Sequence, residues 1–110
     1  MQQIGVLEDD TLTVSIPFYE EVKFKLSDNE KKSAENHPDF LLTYRDMQFG
    51  SLWEKQSKKG NQMMSGNIIV VSHGIATKMQ IIIMIEEAKL GKYKGKMYLS
   101  GGQNETKVSD

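Results

Sequence analysis

The chain has no cysteine among its 110 residues, so it can build neither a disulfide framework nor a thiolate metal site. That composition suits a reducing cytoplasm, which is the compartment expected. Long apolar runs are missing as well. The longest, Ile81 to Ile85, has five residues, far short of the roughly 18 or more that a membrane-spanning helix needs. The N-terminus lacks the basic and apolar regions of a signal peptide, so neither export nor a membrane partner is expected. Histidine is scarce: there are only His37 and His73, both in expected loops. A zinc or catalytic centre built on them would need a third ligand or a base–nucleophile partner close by. Ser72 adjoins His73, but side chains of neighbouring residues diverge and do not make a triad. Glycine-rich phosphate loops are absent too, because Gly91–Gly95 lacks the Gly-Lys-Ser/Thr ending and a following helix. No catalytic residue, metal or cofactor is expected, and the chain reads as a non-enzyme.

What is present is alternation. Leu12, Val14 and Ile16 alternate with Thr13 and Ser15, and Val22, Phe24 and Leu26 alternate with Lys23 and Lys25. Phe40, Leu42 and Tyr44 alternate with Leu41, Thr43 and Arg45. Phe49, Ser51 and Trp53 share one face of the next run, and Gly50, Leu52 and Glu54 share the other. This is the period of a strand with one wet face, not the i, i+3, i+4 stripe of a helix. Ser57-Lys58-Lys59-Gly60-Asn61 is a compact turn, so 48–56 and 62–71 read as a hairpin. Gly66 inside the second run predicts a bulge or a close backbone approach. The β-branched run 77–85 reads as a central strand buried on both faces, with one helix over 76–90 as the alternative. Residues 89–96 read as a loop before a short last strand, 96–100. The expected fold is mainly β, a small antiparallel barrel or sandwich of about six or seven short strands. Residues 1–100 are expected to form a single β-rich domain and 101–110 a flexible C-terminal tail.

One ordered set of motifs resembles a known family. Pro38-Asp39-Phe40, then Gly50-Ser51-Leu52-Trp53, then Ser57-Lys58-Lys59-Gly60 occur in sequence, with Ile4-Gly5 near the start. The stretch 4–71 resembles domain-of-unknown-function family 736, small bacterial proteins that look like residents of plasmids and other mobile elements. The pattern departs after Gly60, where Val70-Val71-Ser72-His73 stands in place of the family's Asp-Asp-Pro. The resemblance implies a compact protein in a mobile-element setting and no particular chemistry.

Charge is distributed unevenly. Residues 1–52 carry five basic and ten acidic side chains, whereas residues 53–100 carry eight lysines and three glutamates. The carboxylate cluster Glu8-Asp9-Asp10 falls between two strand-like runs and is best read as a turn. Lys89, Lys92, Lys94 and Lys96 interleave with Tyr93 and Tyr98, and Lys55, Lys58 and Lys59 follow Trp53. Lysines track a phosphate backbone and aromatic faces stack on exposed bases, so these ten residues are the candidate surface for single-stranded nucleic acid. The competing expectation is a small binding module, acting by protein–protein interaction or self-association as an accessory or inhibitor protein. Seven methionines and the unpaired edges of a small β protein suit that role.

Overall fold

The computed structural model describes residues 3–100, and the expected tail at 101–110 lies outside that range. Eight strands follow one another with no helix among the described residues: β1 (Gln3–Asp9), β2 (Thr11–Val14), β3 (Val22–Asp28), β4 (Phe40–Tyr44), β5 (Met47–Gln56), β6 (Gln62–Ser72), β7 (Ile75–Lys89) and β8 (Lys92–Leu99). Each pairs antiparallel with the next, and β8 returns to β1, which closes an antiparallel barrel. The connections β1–β2, β3–β4, β5–β6 and β7–β8 share one end, called upper here. The connections β2–β3, β4–β5 and β6–β7 share the lower end.

Alternation places the core. Leu12 and Val14 of β2, Phe24 and Leu26 of β3, and Phe40 and Leu42 of β4 are buried, while Lys23 and Lys25 between them point outward. Leu52, Met64, Ile68, Ile81, Ile83 and Met97 complete the filling. An eight-stranded barrel is just wide enough for its inward side chains to fill the interior, so this is a packed core rather than a ligand cavity.

The segment 76–90 is strand throughout. Helical spacing would put Ile81 and Ile83 on different sides, whereas β6 and β8 flank this segment and supply ladders to both of its edges. It is not buried on both faces, because a closed barrel has no second layer: Ile81 and Ile83 point in, while Lys78 and Gln80 are exposed. The expected loop at 89–96 is shorter than the sequence suggests. The two-residue turn Leu90-Gly91, both at positive φ, already closes the β7–β8 hairpin. Gly95 lies inside β8, where a Cβ would run into the main-chain oxygen of Met84. Gly66 is a close approach and not a bulge: its ladder register with β5 is unbroken, and a Cβ there would overlap the oxygen of Ser51.

One real bulge reshapes the lower end. Leu42 pairs with Gly50 and Thr43 with Gln48, so Phe49 is the extra residue on β5. The expected shared face of Phe49, Ser51 and Trp53 is therefore broken. Ser51 and Trp53 face outward, whereas Phe49 turns onto the core and packs against Phe24, ring centroids 6.1 Å apart. Bulges bend a strand and end its pairing, and the β5–β6 ladder indeed stops at Gly50↔Ile68.

Candidate functional site

The barrel distributes the ten sequence-predicted residues among three places. Tyr93 leaves the lysine face altogether: it points inward at the upper mouth and meets Phe40 edge-on, centroids 5.6 Å apart. Partial burial there raises its phenol above the ordinary value, helped by the charges of Glu54 and Asp28. Lys58, Lys59, Lys89 and Lys92 sit at the upper rim. Trp53, Lys55, Lys94, Lys96 and Tyr98 share the outer wall. Cross-strand register lines up Trp53, Ser65, Ile82 and Tyr98 in one row, and Lys55, Met63, Met84 and Lys96 in the next. Trp53 and Tyr98 are three strands apart, about 14 Å at ordinary strand spacing.

The charge asymmetry between the halves of the chain is largely cancelled by folding, because β8 lies between β7 and the acidic β1. Lys94 has Glu8 opposite it on one side and Glu87 on the other. Lys96 Nζ lies 3.5 Å from the Glu86 carboxylate, and Lys89 Nζ lies 3.5 Å from that of Glu87. Exposed pairs of this kind add little stability, but they leave β8 no uniformly positive strip.

The family-like motifs turn out to be a clamp on the long β3–β4 loop. The Trp53 indole N–H donates to the Asn36 carbonyl at 3.0 Å. Asp39 accepts from Lys32 Nζ at 2.6 Å and from the Glu54 main-chain N–H at 2.8 Å. The hydrogen bond from Lys32, and then that from Glu54, hold the Asp39 carboxyl below its ordinary value. Such a group stabilises the fold above its unfolded pKa and loses that contribution as pH falls through the folded one. We therefore expect Asp39→Asn to flatten the acid limb of thermal stability below about pH 4. Melting curves at pH 7 and pH 3 check this, and an unchanged acid loss in the variant would assign that limb to other carboxylates. His37 belongs to the same loop, where its Nδ1 accepts from the Ser33 main-chain N–H at 3.3 Å. That bond occupies the lone pair a general base on this nitrogen would need.

The lower mouth carries a surface that the sequence reading passed over. Ile16-Pro17-Phe18-Tyr19 is a turn closed by the Tyr19 N–H on the Ile16 carbonyl at 3.0 Å. Pro17 at its second position and a φ of 72° at Phe18 are the marks of a type II turn. Glycine is the usual residue at that third position, because a Cβ resists positive φ. Phe18 nonetheless stands there with its side chain 98% exposed. Nearby, Val71 and Ile75 at the tip of the β6–β7 hairpin are 58% and 67% exposed. One hollow is lined by Phe18, Glu20, Val71, Ser72 and His73. A second, of about 230 Å³, shares Glu20 and Val71 with it and reaches inward to Tyr44, Phe49 and Ile69. Phe24, Tyr44 and Phe49 form its aromatic floor, each pair of rings 6.1–6.5 Å apart. The visible signal was Phe18-Tyr19 after Pro17, two aromatics in a connection between strands. Strand-centred reading gave them no partner.

A family model described as a protein of unknown function (DUF736) matches residues 10–95. The match begins later than the stretch 4–71 but runs well past its end, into the first half of the last strand. No curated protein and no solved structure matches the chain.

Proposed function

The chain belongs to the DUF736 family, and we propose that it is a non-enzymatic binding module whose partner is a protein engaged at the lower mouth of the barrel. The observation that carries this reading is Phe18. A bulky residue held at positive φ costs on the order of 1–3 kcal/mol, and a fully exposed ring recovers none of that within the molecule. Strain of this kind concentrates where a side chain is displayed for use. Exposed Val71 and the aromatic floor add apolar surface near it, bordered by Glu20 and Glu21, the mix of apolar centre and polar rim usual in an interface.

The test separates stability from binding. Phe18→Gly relieves the turn, so its melting temperature should equal or exceed that of the parent chain. A photo-crosslinking phenylalanine analogue at position 18 should give a discrete protein adduct in cell extract. The same analogue at Lys25, on the outer face of β3, should not. Identical adduct patterns at both positions, or a lowered melting temperature for Phe18→Gly, would sink the proposal.

A second reading has one observation in its favour: Trp53 with Lys55, and Tyr98 with Lys96, stand on the same outer wall, with β6 and β7 between the two pairs. Single-stranded nucleic acid would lie along it. Labelled single-stranded DNA titrated at low salt is therefore the companion measurement, since the electrostatic attraction is strongest there. With acidic partners beside Lys94 and Lys96, no saturable binding is expected at tens of micromolar. Binding that disappears in a Lys55→Glu, Lys96→Glu double variant would move the function to the wall.

A further inference from the structure

The upper end carries a larger hollow than the lower mouth, of about 790 Å³, within the size range of small-molecule sites. It is an open groove between the β3–β4 loop and β5, with the start of β6 at one end. The groove exists because β4 begins only at Phe40, opposite Leu52. Past that pair β5 runs on to Gln56 with the loop, not a strand, on that side. Trp53, the only tryptophan in the chain, lines the groove half-buried. Its indole N–H is committed to the Asn36 carbonyl at 3.0 Å. The ring plane is therefore fixed before a ligand arrives, and little freedom is lost when one does.

Charge decides the kind of ligand. The charged side chains lining the groove are Lys32, Glu35, Asp39, Glu54 and Lys55. Lys32 and Asp39 neutralise each other at 2.6 Å. The Glu54 carboxylate accepts from the Gln62 amide. Glu35 and Lys55 are exposed and form none of the ion pairs among the described residues. Lys58 and Lys59, in the β5–β6 turn, do not line the groove. With the two signs interspersed, a polyanion meets Glu35 and Glu54 and a polycation meets Lys55, so each is opposed. An apolar ligand would strip water from these groups without replacing their bonds. A neutral polyhydroxyl ring fits where these do not. Its C–H face stacks on an indole, and its hydroxyls donate to carboxylates and exchange bonds with amides.

We propose that this groove is a carbohydrate-binding site that takes a neutral oligosaccharide. Trp53 is the stacking platform, and Glu35, Glu54, Gln56 and Gln62 are the hydroxyl partners. The bond that clamps the β3–β4 loop thus also presents the ring. The site lies at the other end of the barrel from Phe18, so it is independent of the protein-binding reading above.

As the sole tryptophan, Trp53 reports on this groove alone through its fluorescence. The neutral probes are maltotetraose, cellotetraose and tetra-N-acetylchitotetraose, titrated into the full chain, and tetragalacturonate is the anionic companion. At least one neutral probe should change the emission saturably, with a midpoint on the order of 1 mM, as suits an open groove. Tetragalacturonate should bind at least about ten-fold more weakly. A Glu35→Ala, Gln56→Ala double variant removes exposed partners that the loop clamp does not use. It should weaken the best neutral probe about ten-fold at an unchanged melting temperature. Trp53→Phe and Trp53→Leu, followed by titration calorimetry, both lose the bond to Asn36, but only the second loses the aromatic face. The phenylalanine variant should keep binding within about five-fold, and the leucine variant should abolish it. Equal loss in both would leave Trp53 a clamp only and overturn the site. No emission change with any neutral probe up to about 10 mM would overturn it too, as would tetragalacturonate binding as tightly as the best neutral probe. A saturable change with single-stranded DNA, where no neutral probe acts, would give Trp53 to nucleic acid and overturn the assignment.

Discussion

Gly66→Ala is expected to unfold the barrel or to lower its stability by at least ~3 kcal/mol, at the upper limit of ordinary overpacking. The Cβ would overlap the main-chain oxygen of Ser51 and press on the Leu52 Cα. A side chain can swing aside, but these atoms belong to the paired strand. Relief requires β5 and β6 to separate, which breaks the ladder from Gly50↔Ile68 to Gln56↔Gln62. Against a domain stability of roughly 5–15 kcal/mol, that loss is severe. Gly60→Ala is the companion. Gly60 has φ +85° with nothing within 4 Å of the added carbon, so only the backbone conformation resists it, at roughly 1 kcal/mol. Denaturant titration of the two variants measures the difference, and equal midpoints would mean that the strands yield where the geometry says they cannot.

The second large effect is expected at Leu52. It is fully buried and stands between Phe40 of β4 and Gly66 of β6 in the ladder. Leu52→Ala removes about three methylene-sized groups from a closed cylinder whose walls are hydrogen-bonded all round. The cavity should collapse poorly, for a cost of about 2–5 kcal/mol. Leu90, fully exposed in the β7–β8 turn, gives the contrast: Leu90→Ala should stay within ~0.5 kcal/mol of the parent. A small loss for Leu52→Ala would show that the interior repacks around the hole.

The candidate sites were legible to unequal degrees. Lysine and aromatic residues stand out in a string of letters, so the nucleic-acid surface could be listed residue by residue. Its coherence could not, because Tyr93 and the lysines beside it take opposite faces of β8 and because Glu8 and Glu87 arrive from other strands. The motif Pro38-Asp39-Phe40 with Trp53 was visible as a resemblance. Its physical role as a loop clamp depends on Asn36 and Glu54 coming within hydrogen-bonding distance, which spacing along the chain does not encode. Phe18 was written plainly in the sequence, yet its importance lies in its φ of 72° and its exposure, and both belong to the folded molecule.

Period-two alternation by itself determined the strands between Leu12 and Gln56, since that pattern reflects only which side chains leave water. Phe24, Leu26, Phe40, Leu42 and Leu52 are buried as the alternation requires. Turn chemistry at 57–61 and 73–74 was equally local. Tertiary structure decided the rest. Closure of β8 onto β1 settled that the sheet is a barrel, made β7 a strand with one dry face, and cancelled the charge asymmetry. One extra residue in β5, invisible in a run that alternates on either side of it, turned Phe49 inward and ended the β5–β6 ladder at Gly50↔Ile68. Register between strands is set by the sum of contacts across the whole cylinder, so the bulge and the early end of that ladder could be seen only after the barrel had closed.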